Sequence, residues 1–148
     1  MSSHELLHKA IKIATKAHAK QTDRYGAPYL GHVFRVMNAG KTIDEKIVGA
    51  LHDVIEDCEN YDLDDLREKG FPEKIVEAVD CLTKRDEEQS DYDSFIARIE
   101  KNPLAVSVKL NDLRDNMNLT RCTQLLEPKD LKRFNKYLKA FLYLSEKY

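Results

Sequence analysis

The stretch TIDEKIVGALHDVIED, residues 42 to 57, decides the fold class. Thr42 with Glu45 three positions later is a capping box, in which each side chain satisfies the other residue's orphan backbone N–H. Ile47, Val48, Leu51, Val54 and Ile55 then recur at helical spacing. Outward from this segment the same grammar repeats. Ser2 with Glu5 makes a second box, ahead of Leu6, Leu7, Ala10, Ile11, Ala14 and Ala17. Pro72 and Pro128 suit the first turns of new helices. Beyond Pro128, the apolar stripe Leu131, Phe134, Leu138, Phe141 and Leu142 is expected to dock on the core. Leu104, Val106, Val108 and Leu110 alternate like a strand, whereas Val106, Leu110, Leu113 and Met117 fit a helix. With no second strand to pair with, the segment reads as helix. The expectation is an all-α fold of about seven or eight helices, a single domain over residues 1–148.

Composition narrows the functional classes. The formal net charge is −2 over 148 residues, so the basic excess of a general nucleic-acid binder is missing. No apolar run approaches the roughly 20 residues of a membrane span, and MSSHELLHKA lacks a signal-peptide core. Cys58, Cys81 and Cys122 form no CxxC pair and read as reduced core thiols. A cytoplasmic chain with no nucleic-acid or membrane partner is expected.

The chemistry-bearing residues begin at LHDVIED, residues 51 to 57. Positions four apart share a helix face, so His52 neighbours Glu56 and Asp53 neighbours Asp57. One imidazole and three carboxylates beside an apolar stripe repel each other unless a cation neutralises them. His32, in GAPYLGHVFRV, and Asp112, in VKLNDLRDNM, are further ligand candidates. Together with His52 and Asp53 they make two imidazoles and two carboxylates. Such a mixed set suits Mn²⁺, Fe²⁺ or Zn²⁺, with carboxylate and water pulling towards Mn²⁺ or Mg²⁺. Arg24, Lys84 and Lys109 are candidate cations for a phosphate-bearing substrate.

In the order His32, His52-Asp53, Asp112 the chain resembles the HD superfamily of metal-dependent phosphohydrolases. It is closer to one branch, the hydrolase domain of RelA/SpoT enzymes and the small alarmone hydrolases. The segments that carry the likeness are AHAKQ (17–21), GAPYLGH (26–32), LHDVIED (51–57), LTK (82–84) and VKLNDLRDNM (108–117). The resemblance implies that His32, His52, Asp53 and Asp112 bind one divalent ion, typically Mn²⁺. It implies that Glu56 and Asp57 orient or deprotonate the attacking water, and that Asn116 lies close to a nucleotide substrate. The implied reaction removes pyrophosphate from the 3′ position of guanosine tetra- or pentaphosphate. The chain departs from the branch at Asp23-Arg24, where an Arg-Lys pair is usual, and at Tyr25, where a small residue is common. Asp23 favours a phosphohydrolase for another nucleotide, and Glu56-Asp57 favours the alarmone. A non-catalytic nucleotide-binding module is the remaining alternative. At this length no separate synthetase domain is expected.

Overall fold

The computed structural model describes residues 1–147, and both predicted capping boxes start helices in it. Ser2 caps α1 (Ser3–Ala17). After a turn region, α2 (Leu30–Ala39) leads to α3 (Ile43–Leu51), capped by Thr42. The chain then breaks at His52 and Asp53 and resumes in the single turn α4 (Val54–Asp57). Next come α5 (Leu63–Glu68), α6 (Glu73–Leu82), α7 (Tyr92–Glu100), α8 (Pro103–Asn116) and α9 (Pro128–Lys147). Short 3-10 turns lie at Asp86–Glu88 and Leu119–Arg121. Counting α3 and α4 as one interrupted helix gives eight helical bodies. Among the described residues there is no strand, only an isolated bridge between Thr22 and Pro28. Among the described residues no helix is long and apolar enough to cross a membrane.

Helix α3 is the axis of the molecule. Every residue from Ile47 to Leu51 is buried, because α1 and α2 cover it on one side and α6 and α8 on the other. Gly49 permits the closest approach: a Cβ there would meet the Met37 Cα at 2.9 Å, which no ordinary contact tolerates. Helix α8 is the second hub, touching α2, α3, α6, α7 and α9. The site therefore rests on the two most enclosed helices of the fold.

The stripe expected on α9 divides. Phe134, Ala140 and Leu144 are buried and Phe141 is half-buried, but Leu131, Leu138 and Leu142 are exposed. A 20-residue helix carries two apolar stripes here, and only the one aimed at α7 and α8 is covered. Among the cysteines, all free, only Cys58 is buried; Cys81 and Cys122 are half-buried.

One buried ion pair holds the turn after α6. Arg98 grips Glu88 through Nε at 3.0 Å and Nη2 at 2.8 Å. The same guanidinium donates to the carbonyls of Asp80, in the last turn of α6, and of Thr83, the residue that follows the helix. Arg98, followed by a backbone N–H from Arg85, outweighs burial and holds the Glu88 carboxyl down at about 2. Its contribution to stability is thus complete above the ordinary glutamate range near ~4.3 and disappears as pH falls through about 2. Arg98→Lys keeps the charge but loses the fork, and about 1–3 kcal/mol of unfolding free energy is expected to go with it at pH 7. Chemical denaturation checks this. The difference between wild type and variant is expected to shrink towards pH 2, and a difference independent of pH would remove Glu88 from the account.

Candidate metal and phosphate site

Four potential ligands converge from three segments. His32 comes from the first turn of α2, His52 and Asp53 from the break after α3, and Asp112 from α8. One ligand atom of each lies within 4.8 Å of all the others. The His52 Nδ1 is 2.6 Å from the Gly49 carbonyl, which can only accept, so Nδ1 carries the hydrogen. Its Nε2 then points inward, buried and 2.9 Å from Asp53 Oδ2, and offers a lone pair to a cation once any proton there is displaced. A lone pair held against a carboxylate is tolerable when a proton or a cation lies between them. His32 is built alike. Its Nδ1 donates to Asp115 Oδ2 at 2.6 Å, and its Nε2 faces Asp112 Oδ1 at 2.9 Å. Both imidazoles are thus anchored through one nitrogen and present the other, the arrangement metal-binding histidines take. The donor set fits a divalent cation.

Without a cation, protons gather here. Burial alone would depress the His52 pKa, but the charges of Asp53 and Asp112 overcome it and hold His52 well above the ordinary histidine value. His32 is raised in the same contest, by Asp112 and Asp115. The carboxylates are steadied in turn. Tyr29 Oη donates to Asp53 Oδ2 at 2.6 Å, Lys109 Nζ to Asp112 Oδ2 at 2.9 Å, and Asn116 Nδ2 to Asp112 Oδ1 at 3.2 Å. Tyr29 had no role assigned from sequence, although it sits in the GAPYLGH segment.

The acidic pair separates in space. Glu56 lines a cavity of about 160 Å³ together with His52, Asp53 and Asp112. Its Oε1 accepts the Lys84 backbone N–H at 2.6 Å, so the turn held by Arg98 and Glu88 fixes its position. Asp57 instead lines a larger neighbouring cavity with Gln21 and Cys58. Partial burial, and then the charges of Asp53 and Glu56, push its carboxyl up to about 7.

The candidate cations sort into three kinds. Lys109 is buried and committed to Asp112, so it balances a ligand's charge. Lys84 lines the Glu56 cavity with its ammonium 6.0 Å from the Tyr92 and Phe95 ring centres. Arg24 is exposed and lines a second cavity of about 260 Å³ that reaches His32 and Asn116. Sequence reasoning missed Lys136 and Arg133, both brought in by α9. Lys136 Nζ lies 4.8 Å from the Tyr92 ring centre, in the same cavity as Lys84 and Lys109. Burial, and then the repulsion of Lys84 and Lys109, lower its pKa. The Tyr92 hydroxyl is buried without a hydrogen-bond partner. The ammonium groups of Lys84 and Lys136, sharing one cavity with this unpaired donor, suit an anion that carries phosphate.

Asp23 does not confront that anion. Its Oδ1 accepts the backbone N–H groups of Tyr25 and Ala27, closing a turn in which Gly26 takes a left-handed φ of +84°. Its Oδ2 accepts from Arg121 at 2.9 Å.

The architecture matches a solved structure from work titled "A metazoan ortholog of SpoT hydrolyzes ppGpp and plays a role in starvation responses". The TM-score is 0.77 over 94% of this chain and 84% of that one, at 20% sequence identity. The fold is that of an HD-type RelA/SpoT hydrolase domain. The chain is also similar in sequence to segments of longer proteins. A guanosine-3′,5′-bis(diphosphate) 3′-pyrophosphohydrolase of Vibrio cholerae is 30% identical over 76% of this chain and 18% of its own length. The protein of the same name from Aquifex aeolicus is 25% identical over 76% of this chain and 17% of its own. A GTP pyrophosphokinase of Streptomyces coelicolor is 29% identical over 78% and 15%. The chain thus spans less than a fifth of the length of these curated relatives. No family model matches it.

Proposed function

We propose that this HD-type domain is a metal-dependent pyrophosphohydrolase acting on a purine nucleotide that carries a 3′-diphosphate, guanosine tetraphosphate being the reference substrate. The observation that carries the reading is one cavity lined together by Glu56, His52, Asp53 and Asp112 and by Lys84, Lys109 and Lys136. His32, His52, Asp53 and Asp112 hold the divalent ion, with Mn²⁺ the first candidate. When bound, such an ion supplies Lewis acidity towards a phosphoryl oxygen and towards the attacking water. The side chains do the rest. Glu56, fixed by the Lys84 N–H, takes the proton of the water as its oxygen bonds to the phosphorus beside the 3′ oxygen. The bond between that phosphorus and the 3′ oxygen breaks, the proton taken by Glu56 passes to the 3′ oxygen, and pyrophosphate leaves with the water's oxygen. Lys84 and Lys136 balance the charge of the departing group. Asn116, which borders both cavities, lies where nucleotide and diphosphate meet.

A broader base preference is the second reading, and Asp23 favours it. Both of its oxygens are engaged by Arg121, Tyr25 and Ala27, and no other carboxylate lines the cavity that reaches His32 and Asn116. No carboxylate is therefore left there to accept the N–H groups on the edge of guanine.

The test is a substrate panel with Mn²⁺ that distinguishes pyrophosphate from phosphate release. The expected result is pyrophosphate from guanosine tetraphosphate and from its adenosine analogue, with neither product from nucleoside 5′-monophosphates. Orthophosphate from a monophosphate would replace the proposed reaction with an ordinary phosphatase.

A further inference from the structure

Arg121 joins two parts of the site that the catalytic reading treats separately. One face of its guanidinium donates through Nη2 to Asp23 Oδ2 at 2.9 Å. The other donates through Nη1 to Asp115 Oδ2 at 2.7 Å and to the Asp115 carbonyl at 3.1 Å. Asp115 Oδ2 is also the acceptor for His32 Nδ1 at 2.6 Å, and Arg35 Nε closes the other carboxylate oxygen at 2.7 Å. Asp23 shapes the 22–28 turn through its bonds to Tyr25 and Ala27. The Asp23 and Asp115 side chains are 8% and 9% exposed and Arg121 is 17% exposed, so the bridge is shielded from water and from salt.

We infer that Arg121 is a positioning residue that couples the 22–28 turn to the imidazole of His32, so that the cavity wall and the metal centre shift together. The inference rests on His32 being a ligand, as the proposed function has it. The physical basis is geometric. A planar guanidinium has two sides, and here each holds one carboxylate in a fixed direction. One carboxylate orients a ring whose second nitrogen points at the cation, and partners of this kind tune metal affinity without touching the metal. The other carboxylate sets the turn carrying Arg24 and Tyr25, which line the cavity next to His32. Because coupling of this sort is reciprocal, a cation that fixes His32 also steadies the turn.

Two measurements test it. In metal-free protein with ¹⁵N-labelled histidine, Asp23→Asn is expected to move the His32 ring resonances, and to leave them unmoved in an Arg121→Gln background. In the second, Mn²⁺ is titrated against a competing chelator while amide exchange is followed at Tyr25 and Ala27. Arg121→Gln is expected to weaken Mn²⁺ binding about 10–100-fold and to abolish the Mn²⁺-induced protection of those amides. Arg121→Lys, which reaches only one carboxylate, should recover the fold wherever Gln does not, without recovering the coupling. His32 resonances indifferent to Asp23→Asn in the presence of Arg121 would overturn the inference. So would wild-type Mn²⁺ affinity together with wild-type protection in Arg121→Gln. If the wild-type chain bound no cation at all, the metal reading would fail by itself, and the metal-free resonances would still decide the bridge.

Discussion

Replacing His52 and Asp53 together by alanine is expected to yield a chain that retains no stoichiometric Mn²⁺ and melts alike with and without chelator. These two residues supply half of the donor atoms that lie within 4.8 Å of one another. His32 and Asp112 would remain, one imidazole and one carboxylate, too few to hold the ion against water. In the wild type the same ion should raise the melting temperature, because it binds only the folded arrangement; at a hundredfold excess over Kd the gain is about 2.7 kcal/mol. Cation and proton compete for the same imidazoles. His52 and His32 hold protons above the ordinary histidine range in the metal-free chain, so metal affinity is expected to rise with pH through and beyond that range. His52 is fully buried, and its removal also opens a hole in the core. Asp53→Asn therefore serves as the companion variant. It keeps the shape and removes the charge, and should cost most of the affinity while sparing the fold. Elemental analysis showing full occupancy in the double variant would end the four-ligand assignment.

Glu56→Gln is expected to retain its metal and its fold while kcat falls by about 10²-fold or more, the usual scale for a general base. The amide oxygen can still accept from the Lys84 N–H, so the contact that fixes the side chain survives. What disappears is the basic carboxylate, which acts chiefly in the transition state, and KM should change little. Burial raises the Glu56 pKa above the ordinary glutamate value, and Asp57 stands at about 7. A base must be ionised to act, so kcat/KM is expected to fall as the pH drops through a range above that of ordinary carboxylates. Loss of the ion in Glu56→Gln would make Glu56 a ligand. Full activity would make the pair an ordinary helix end and remove the main chemical support for hydrolysis.

The sequence by itself determined the helical class and the starts of α1 and α3, and it singled out the four candidate ligands that the structure brings within 4.8 Å of one another. Capping boxes such as Ser2–Glu5 and Thr42–Glu45 are contacts between residues three apart, so composition and order suffice to specify them. His52 and Asp53 are adjacent in the chain, and His32 and Asp112 stood out by motif order. Tertiary structure alone decided the rest. The family resemblance implied that Glu56 and Asp57 work as a pair, and the helical spacing put each beside one of His52 and Asp53. The break at His52 and Asp53 instead sends Glu56 into the ligand cavity and Asp57 towards Gln21. Asp23 read as a charge facing the substrate until a residue 98 positions away, Arg121, turned out to hold it. Lys136 and Arg133 joined the site only because α9 folds back along α8. The same packing left Leu131, Leu138 and Leu142 in solvent. Periodicity reports which residues share a face, whereas which face is covered, and which distant charge lies opposite, depends on how the helices pack.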